Sequence, residues 1–177
     1  MQLADAGGNR TGNFIDTIYL DNAGPTITIS PPSTTVKSMV IVSITGTDAG
    51  AGLQSIYYQA YLNSGACPSA GDAGYIVYPS SFMLPGSPNQ TITRKVCSYG
   101  IDVLGNTGQI MSGIYIIDNE PPHGAFVINS GARRTNTPYV WIQGTFNDAI
   151  QMRFINDGDS RGSWETYNNS KAWTLNT

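Results

Sequence analysis

Two stretches of this sequence repeat each other, and their spacing decides the fold. The first reads Asp5-Ala6-Gly7-Gly8-Asn9, then Ile18-Tyr19-Leu20, then Asp21-Asn22-Ala23-Gly24-Pro25. The second reads Asp102-Val103-Leu104-Gly105-Asn106, then Ile114-Tyr115-Ile116-Ile117, then Asp118-Asn119-Glu120-Pro121-Pro122. Five landmarks (5 and 102, 8 and 105, 9 and 106, 21 and 118, 25 and 122) share a separation of 97 residues. This period predicts a repeat whose unit has the size of one β-sandwich domain, about 100 residues.

The composition excludes several classes of function. Only 12% of the 177 residues are charged and the net charge is −3, so the chain has no basic footprint for nucleic acid. No apolar run approaches the roughly 18 residues of a membrane span, and we therefore predict no membrane insertion. The low charge and the many Gly, Thr and Asn residues favour an extracellular protein, secreted or on a bacterial cell surface. The first residues do not read as a signal peptide, so an export signal is expected upstream of the given sequence.

Alternating apolar residues predict an all-β protein. Val40, Val42 and Ile44 alternate with their neighbours at the period of a half-buried strand. The same reasoning predicts longer strands over residues 53–62, 91–103 and 109–117. β-branched and aromatic residues dominate, and no segment has a sustained helical period.

The repeat divides the chain into three parts. Residues 22–117 are predicted to form a complete β-sandwich, and residues 118–177 a second one that lacks its last strands. Residues 1–21 match the end of the complete unit, so they are predicted to be a terminal strand segment of a preceding or neighbouring domain. The C-terminal Trp173 aligns with Phe82, which predicts a core position for it.

Three motifs resemble bacterial immunoglobulin-like repeat domains of large cell-surface and adhesin-type proteins. They are the Asp…Gly-Asn turns at 5–9 and 102–106, the Asp-x-x-x-Pro linkers at 21–25 and 118–122, and the segment Met152-Arg153-Phe154…Asn156-Asp157-Gly158…Trp164…Tyr167…Ala172-Trp173-Thr174-Leu175. The resemblance covers nearly the whole chain. It implies tandem Ig-like sandwiches, no catalytic role, and use as a structural stalk or filament of an adhesin. Such repeats also occur as accessory modules of secreted hydrolases, so a glycan- or protein-binding module is the alternative.

The two ends of the chain complement each other. The second unit lacks its final strands, and residues 1–20 supply nearly that piece. A sandwich without two strands exposes an edge and apolar core, which native proteins avoid. Either the chain is an excerpt from a longer array of repeats, or neighbouring copies assemble head to tail by strand addition. The complementing strand would consist of Asp16, Thr17, Ile18, Tyr19 and Leu20.

The two cysteines predict a disulfide. An even number of cysteines in an exported protein favours pairing. Cys67 follows the third predicted strand, and Cys97 lies in the sixth, which neighbours the third in this fold. The bond would close a loop of 30 residues and stabilise the fold by about 3–4 kcal/mol in the chain-entropy account.

Several carboxylates are expected at one end of the complete sandwich. The turns that meet there bring Asp21, Asp48, Asp102 and Asn106 together, and Asp118 begins the equivalent set of the second unit. One interpretation is a structural calcium ion at each junction, since calcium takes six to eight oxygen ligands. The other is that these side chains cap turns through hydrogen bonds to the backbone. No other cofactor is expected.

The remaining motifs do not predict an enzyme. The single histidine, His123, lies beside the linker prolines, too isolated for a zinc site or a catalytic triad. The aromatic residues of the second unit could instead form a platform for a glycan. They are Tyr139, Trp141, Trp164, Tyr167 and Trp173.

Overall fold

A computed structural model describes residues 1–62 and 65–176. Within these ranges the protein is all-β, with a single short 3₁₀ turn at Asn129–Gly131 and no α-helix. The prediction of an all-β protein is therefore confirmed. The chain divides into two compact units: unit 1 comprises Met1–Ser87 and Thr91–Asp118, and unit 2 comprises Pro88–Gln90 and Asn119–Thr177.

Unit 1 is built from two β-sheets. Its strands are β1 (Thr26–Ser30), β2 (Thr34–Val36), β3 (Met39–Thr47), β4 (Leu53–Leu62), β5 (Ile76–Val77), β6 (Phe82–Pro85), β7 (Thr91–Asp102) and β8 (Met111–Asp118). The smaller sheet has the order β1-β3-β6 and the larger one the order β2-β8-β7-β4-β5. The short edge strand β2 runs parallel to β8, whereas all the other neighbours are antiparallel.

The two sheets of unit 1 enclose one apolar core, as in a β-sandwich. Along β3 the buried residues alternate with exposed ones, the pattern of a strand with one face inward. Strands β7 and β8 supply the opposite wall. The buried core cluster consists of Ile27, Val40, Val42, Ile44, Leu84, Val96, Tyr115 and Ile117.

The predicted disulfide between Cys67 and Cys97 is present, with the Cα atoms 5.8 Å apart. Cys97 is fully buried in β7, on the face turned away from the core. The loop that carries Cys67 packs on that face, where Tyr75 meets Tyr99 edge-on at 4.9 Å between ring centroids. Lys95 donates a hydrogen bond to the carbonyl of Gly65 in the same loop. The disulfide thus anchors a loop that buries the outer side of β7, which explains why this strand is buried on both faces.

Unit 2 repeats the smaller sheet of unit 1. Its strands are β9 (His123–Ile128), β10 (Tyr139–Asn147), β11 (Gln151–Met152), β12 (Glu165–Thr166) and β13 (Ser170–Thr174). The sheet order β9-β10-β13 reproduces the order β1-β3-β6, and both sheets are antiparallel. The separate pair β11-β12 takes the chain position of β4-β5. Two residues of the described part of unit 2, Val140 and Ile142, are buried apolar side chains.

The register of the sheets agrees with the predicted alignment of Trp173 with Phe82. Trp173 pairs with Val140 in unit 2, and Phe82 pairs with Val42 in unit 1. The two valines begin matching stretches, Val42-Ser43-Ile44-Thr45-Gly46-Thr47 and Val140-Trp141-Ile142-Gln143-Gly144-Thr145. Val42 and Val140 are both buried, so their partners lie at equivalent positions of the two small sheets.

Two local predictions differ from the structure. Residues 16–20, predicted as a strand, have no ladder of hydrogen bonds and are not a strand in the chain. The nearest pairing is the isolated bridge between Ala4 and Arg10. Conversely, the structure contains a short strand, β2, that the alternation of apolar residues does not predict. The chain crosses to the other sheet there and pairs with β8.

Candidate functional site

An open apolar groove lies on the inner face of unit 2. It has a volume of about 690 Å³ and runs between the sheet β9-β10-β13 and the pair β11-β12. Phe126 and Trp164, which line it, remain 59% and 57% exposed. Further apolar side chains in its walls are Ile128, Ile142, Phe146, Met152, Phe154 and Trp173. Apolar side chains of this size are normally buried, so the groove is a core with one wall missing.

Unit 1 shows what fills the corresponding space. There β7 and β8 lie beside β4 and β2 in the larger sheet and close the core over β1, β3 and β6. Tyr115 and Ile117 of β8 are fully buried in that core. In unit 2 the described residues provide counterparts of β4 and β5 but none of β7 and β8. The missing wall of unit 2 therefore has the position of a β7-β8 hairpin.

The N-terminal segment reproduces the turn of that hairpin in three dimensions. The bridge between Ala4 and Arg10 matches the bridge between Ile101 and Thr107, at the repeat separation of 97. The Asp5 N–H donates to the Asn9 carbonyl at 2.9 Å, and the Asp102 N–H donates to the Asn106 carbonyl at 3.1 Å. The side-chain amides also match: Asn9 Nδ2 donates to Asp5 Oδ2 at 2.8 Å, and Asn106 Nδ2 to Asp102 Oδ2 at 2.8 Å. The repeat found in the sequence is thus a repeat of turn geometry.

Glycine is required at the same place in both turns. Gly8 and Gly105 have φ angles of 85° and 89°, in the left-handed region that other residues rarely adopt. Both carboxylates accept backbone N–H bonds that favour the ionised form. In Asp5, hydrogen bonds from Asn9 lower the pKa. In Asp102, burial raises the pKa, but hydrogen bonds from Asn106, Leu104 and Gly105 outweigh burial and lower it overall.

The apolar residues that follow the N-terminal turn are exposed. At the repeat separation, Ile18 corresponds to Tyr115 and Leu20 to Ile117. Tyr115 and Ile117 are 0% exposed, whereas Ile18 and Leu20 are 96% and 89% exposed. The same positions of the repeat are therefore buried in the core of unit 1 but exposed to solvent in the N-terminal segment.

The structure brings together three of the predicted calcium ligands. Carboxylate oxygens of Asp21, Asp48 and Asp102 lie within 4.8 Å of one another at one end of unit 1. Asn106 joins them, since its side-chain amide donates to the Asp21 carbonyl at 3.2 Å. Asp118 lies elsewhere: it accepts a hydrogen bond from Thr91 at the opposite end of β7.

The hydrogen bonds of this acidic cluster are those of turn capping. Asp48 Oδ1 accepts from the N–H groups of Gly50 and Gly52, and Asp21 Oδ2 accepts from Ala51 N–H. Asp102 Oδ1 accepts from Asn106 N–H at 2.7 Å. These bonds tie three loops of unit 1 into one end cap. The calcium ion stays a prediction; a melting temperature that falls when calcium is chelated would support it, and an unchanged one would remove it.

The five aromatic residues predicted as a glycan platform do not lie together: Trp164 lines the groove, and the other four separate into two groups. Tyr167 and Trp173 are held inside: the Tyr167 hydroxyl accepts from Phe146 N–H, and Trp173 Nε1 donates to Asn156 Oδ1. Tyr139 and Trp141 stand on alternate positions of β10 and point away from the groove, 72% and 47% exposed. Sequence reasoning could not separate the groups, because that requires the register of β10.

No protein-family model matches this chain, and no curated protein is detectably similar to it in sequence. Among the described residues, no helix is long and apolar enough to cross a membrane.

Proposed function

We propose that the chain is a structural repeat of an extracellular bacterial surface protein, an adhesin stalk or filament built from tandem Ig-like sandwiches. The sheet orders β1-β3-β6 and β2-β8-β7-β4-β5, and the recurrence of the first of these in unit 2, support the Ig-like assignment. The disulfide supports an oxidising compartment outside the cell. The landmarks of residues 5–25 recur in residues 102–122 at the separation of 97, as expected of an array.

The parallel pairing of β2 with β8 is the observation that carries a mechanical role. Thr34, Thr35 and Val36 pair with Tyr115, Ile116 and Ile117, near the point where the chain leaves unit 1. When the chain is pulled from both ends, β2 and β8 are drawn in opposite directions along their length. Their hydrogen bonds then carry the load together instead of opening one at a time. A sandwich with this connection resists extension, which is what a stalk requires.

Single-molecule force spectroscopy on the full chain, tethered at both ends, tests this role. The variants Thr34→Pro and Thr35→Pro place a residue without an N–H in β2. Alternate residues of a parallel strand donate to the same neighbour, so one of the two variants removes a hydrogen bond to β8. We expect that variant to lower the unfolding force of unit 1 clearly.

Ile76→Pro is the matched control. Like Thr35, Ile76 is exposed and lies in a short edge strand of the larger sheet, but at the edge opposite β2. It is outside the path of the load, so we expect an unfolding force close to that of the unaltered chain. Equal losses in all three variants, or extension of the unaltered chain without a distinct force peak, would contradict the proposal.

A glycan-binding module is the second candidate function, favoured by the exposed pair Tyr139 and Trp141. Aromatic rings on one face of a sheet can stack on sugar rings. A glycan screen on the full chain tests it, with Trp141→Ala as the variant that loses binding. Trp164→Ala is the control, since Trp164 lies in the groove. The absence of any binding, or equal losses in both variants, would remove this candidate.

A further inference from the structure

We propose that the groove of unit 2 binds the N-terminal segment of a second copy of this chain, with Ile18 and Leu20 as the two side chains that enter it. This inference rests on the proposed structural role and names the partner of the open face. The chains would join head to tail, each N-terminal segment forming part of the next chain's unit 2.

The repeat identifies the occupant. In unit 1 the space over the smaller sheet is filled by β8, through Tyr115 and Ile117. Ile18 and Leu20 occupy those positions of the repeat and are almost fully exposed in the single chain. An apolar groove that lacks a strand and an apolar segment that lacks a sheet thus occur in the same chain. Each would bury the other's exposed surface, which drives association.

The alternation of side chains along a strand determines which residues of the segment would be buried. In β8, Gly113, Tyr115 and Ile117 point into the core, while Ile116 is exposed. By the same alternation Ile18 and Leu20 enter the groove, and Thr17 and Tyr19 face outward. Apolar and aromatic side chains, among them Phe126, Ile142 and Trp173, make up much of the groove, so Ile18 and Leu20 find apolar partners there.

The N-terminal turn supports the same register. Asp5, Gly8 and Asn9 form a counterpart of the turn that connects β7 to β8 in unit 1, with the same hydrogen bonds. The segment therefore already has the shape of the hairpin end that unit 2 lacks. Because this turn is already formed, docking requires a new strand conformation only after it, in residues 13–20, which limits the entropy lost on binding.

Light scattering behind a sizing column, over a hundredfold range of concentration, tests the inference on the full chain. We expect the unaltered chain to grow with concentration into species whose masses are multiples of 18.9 kDa. The double variant Ile18→Asp/Leu20→Asp should stay at one chain mass throughout, because two carboxylates cannot enter an apolar groove without a large desolvation cost. A synthetic peptide of residues 1–21, added in excess, should shorten the ladder of the unaltered chain by capping free grooves.

Thr17→Asp/Tyr19→Asp is the matched control, since it adds the same charge to the outward face of the same segment. We expect it to retain the ladder. A constant mass of one chain for the unaltered protein would overturn the inference, and so would equal loss in the two double variants. Either result leaves the force measurement on unit 1 unaffected, so a failure here is distinct from a failure of the structural role.

Discussion

The two copies of the repeat predict different losses of stability for alanine substitutions at the same position of the repeat. Ile117→Ala removes three carbon atoms from a fully buried side chain of unit 1. At about 0.8 kcal/mol per methylene, the lost transfer free energy alone is about 2.4 kcal/mol. The cavity left among tightly packed neighbours adds to this, and Ile→Ala changes in cores cost about 2–5 kcal/mol in total. We expect unit 1 to lose about 3 kcal/mol.

Leu20→Ala makes the corresponding change in the N-terminal segment. Leu20 is 89% exposed, so in dilute protein the cost should stay within about 0.5 kcal/mol, as for other exposed sites. Ile116→Ala, on the outward face of β8, is a second control within unit 1, and it too should cost little. The slowest-exchanging amides of β7 report the free energy of unfolding of unit 1 in native-state hydrogen exchange. A loss below about 1 kcal/mol for Ile117→Ala would refute the reasoning, and so would a loss of about 3 kcal/mol for Leu20→Ala in dilute protein.

Three further results are expected. Reducing the Cys67–Cys97 bond should lower the stability of unit 1 by about 3–4 kcal/mol, measured as the shift of the urea midpoint with and without reductant; an unchanged midpoint would show that the bond constrains nothing. The pKa of Asp102 lies below its ordinary value of 3.8, so its contribution is complete above about pH 4 and is lost as the pH falls through the folded pKa. We therefore expect acid to lower the melting temperature of unit 1, and Asp102→Asn to flatten that dependence; a profile as steep in the variant would contradict the assignment. Tyr115→Phe removes the hydroxyl that donates to the Pro31 carbonyl at 2.8 Å and should cost about 1 kcal/mol in calorimetry, whereas an unchanged melting temperature would mean that this bond contributes nothing.

Local patterns were sufficient to predict much of unit 1. Strand β4 has the predicted bounds, and β7 ends one residue earlier than predicted, because alternation and Gly-rich turns mark them directly. The disulfide was predictable because its cysteines lie in or beside strands that neighbour each other. The meeting of Asp21, Asp48 and Asp102 was predictable because the turns at one end of a sandwich converge.

The remaining features depend on contacts that a local pattern does not contain. Strand β2 forms because β8 offers a parallel edge, and three residues after two prolines give no indication of it. Residues 16–20 have the sequence pattern of a strand but do not form one, because a strand needs a neighbouring strand that supplies hydrogen bonds. The inward side of β10 and the openness of the groove follow from the register with β9 and β13, which is a property of the assembled sheet.

Hydrogen exchange of residues 16–20 at low and at high protein concentration is the most direct test of the central claim, that the N-terminal segment completes the unit 2 of another chain. The account predicts rapid exchange in dilute protein, where the segment has no strand partner. At high concentration it predicts protection of these amides, together with slower exchange in β10 of unit 2. Equally rapid exchange of residues 16–20 at both concentrations would contradict the claim.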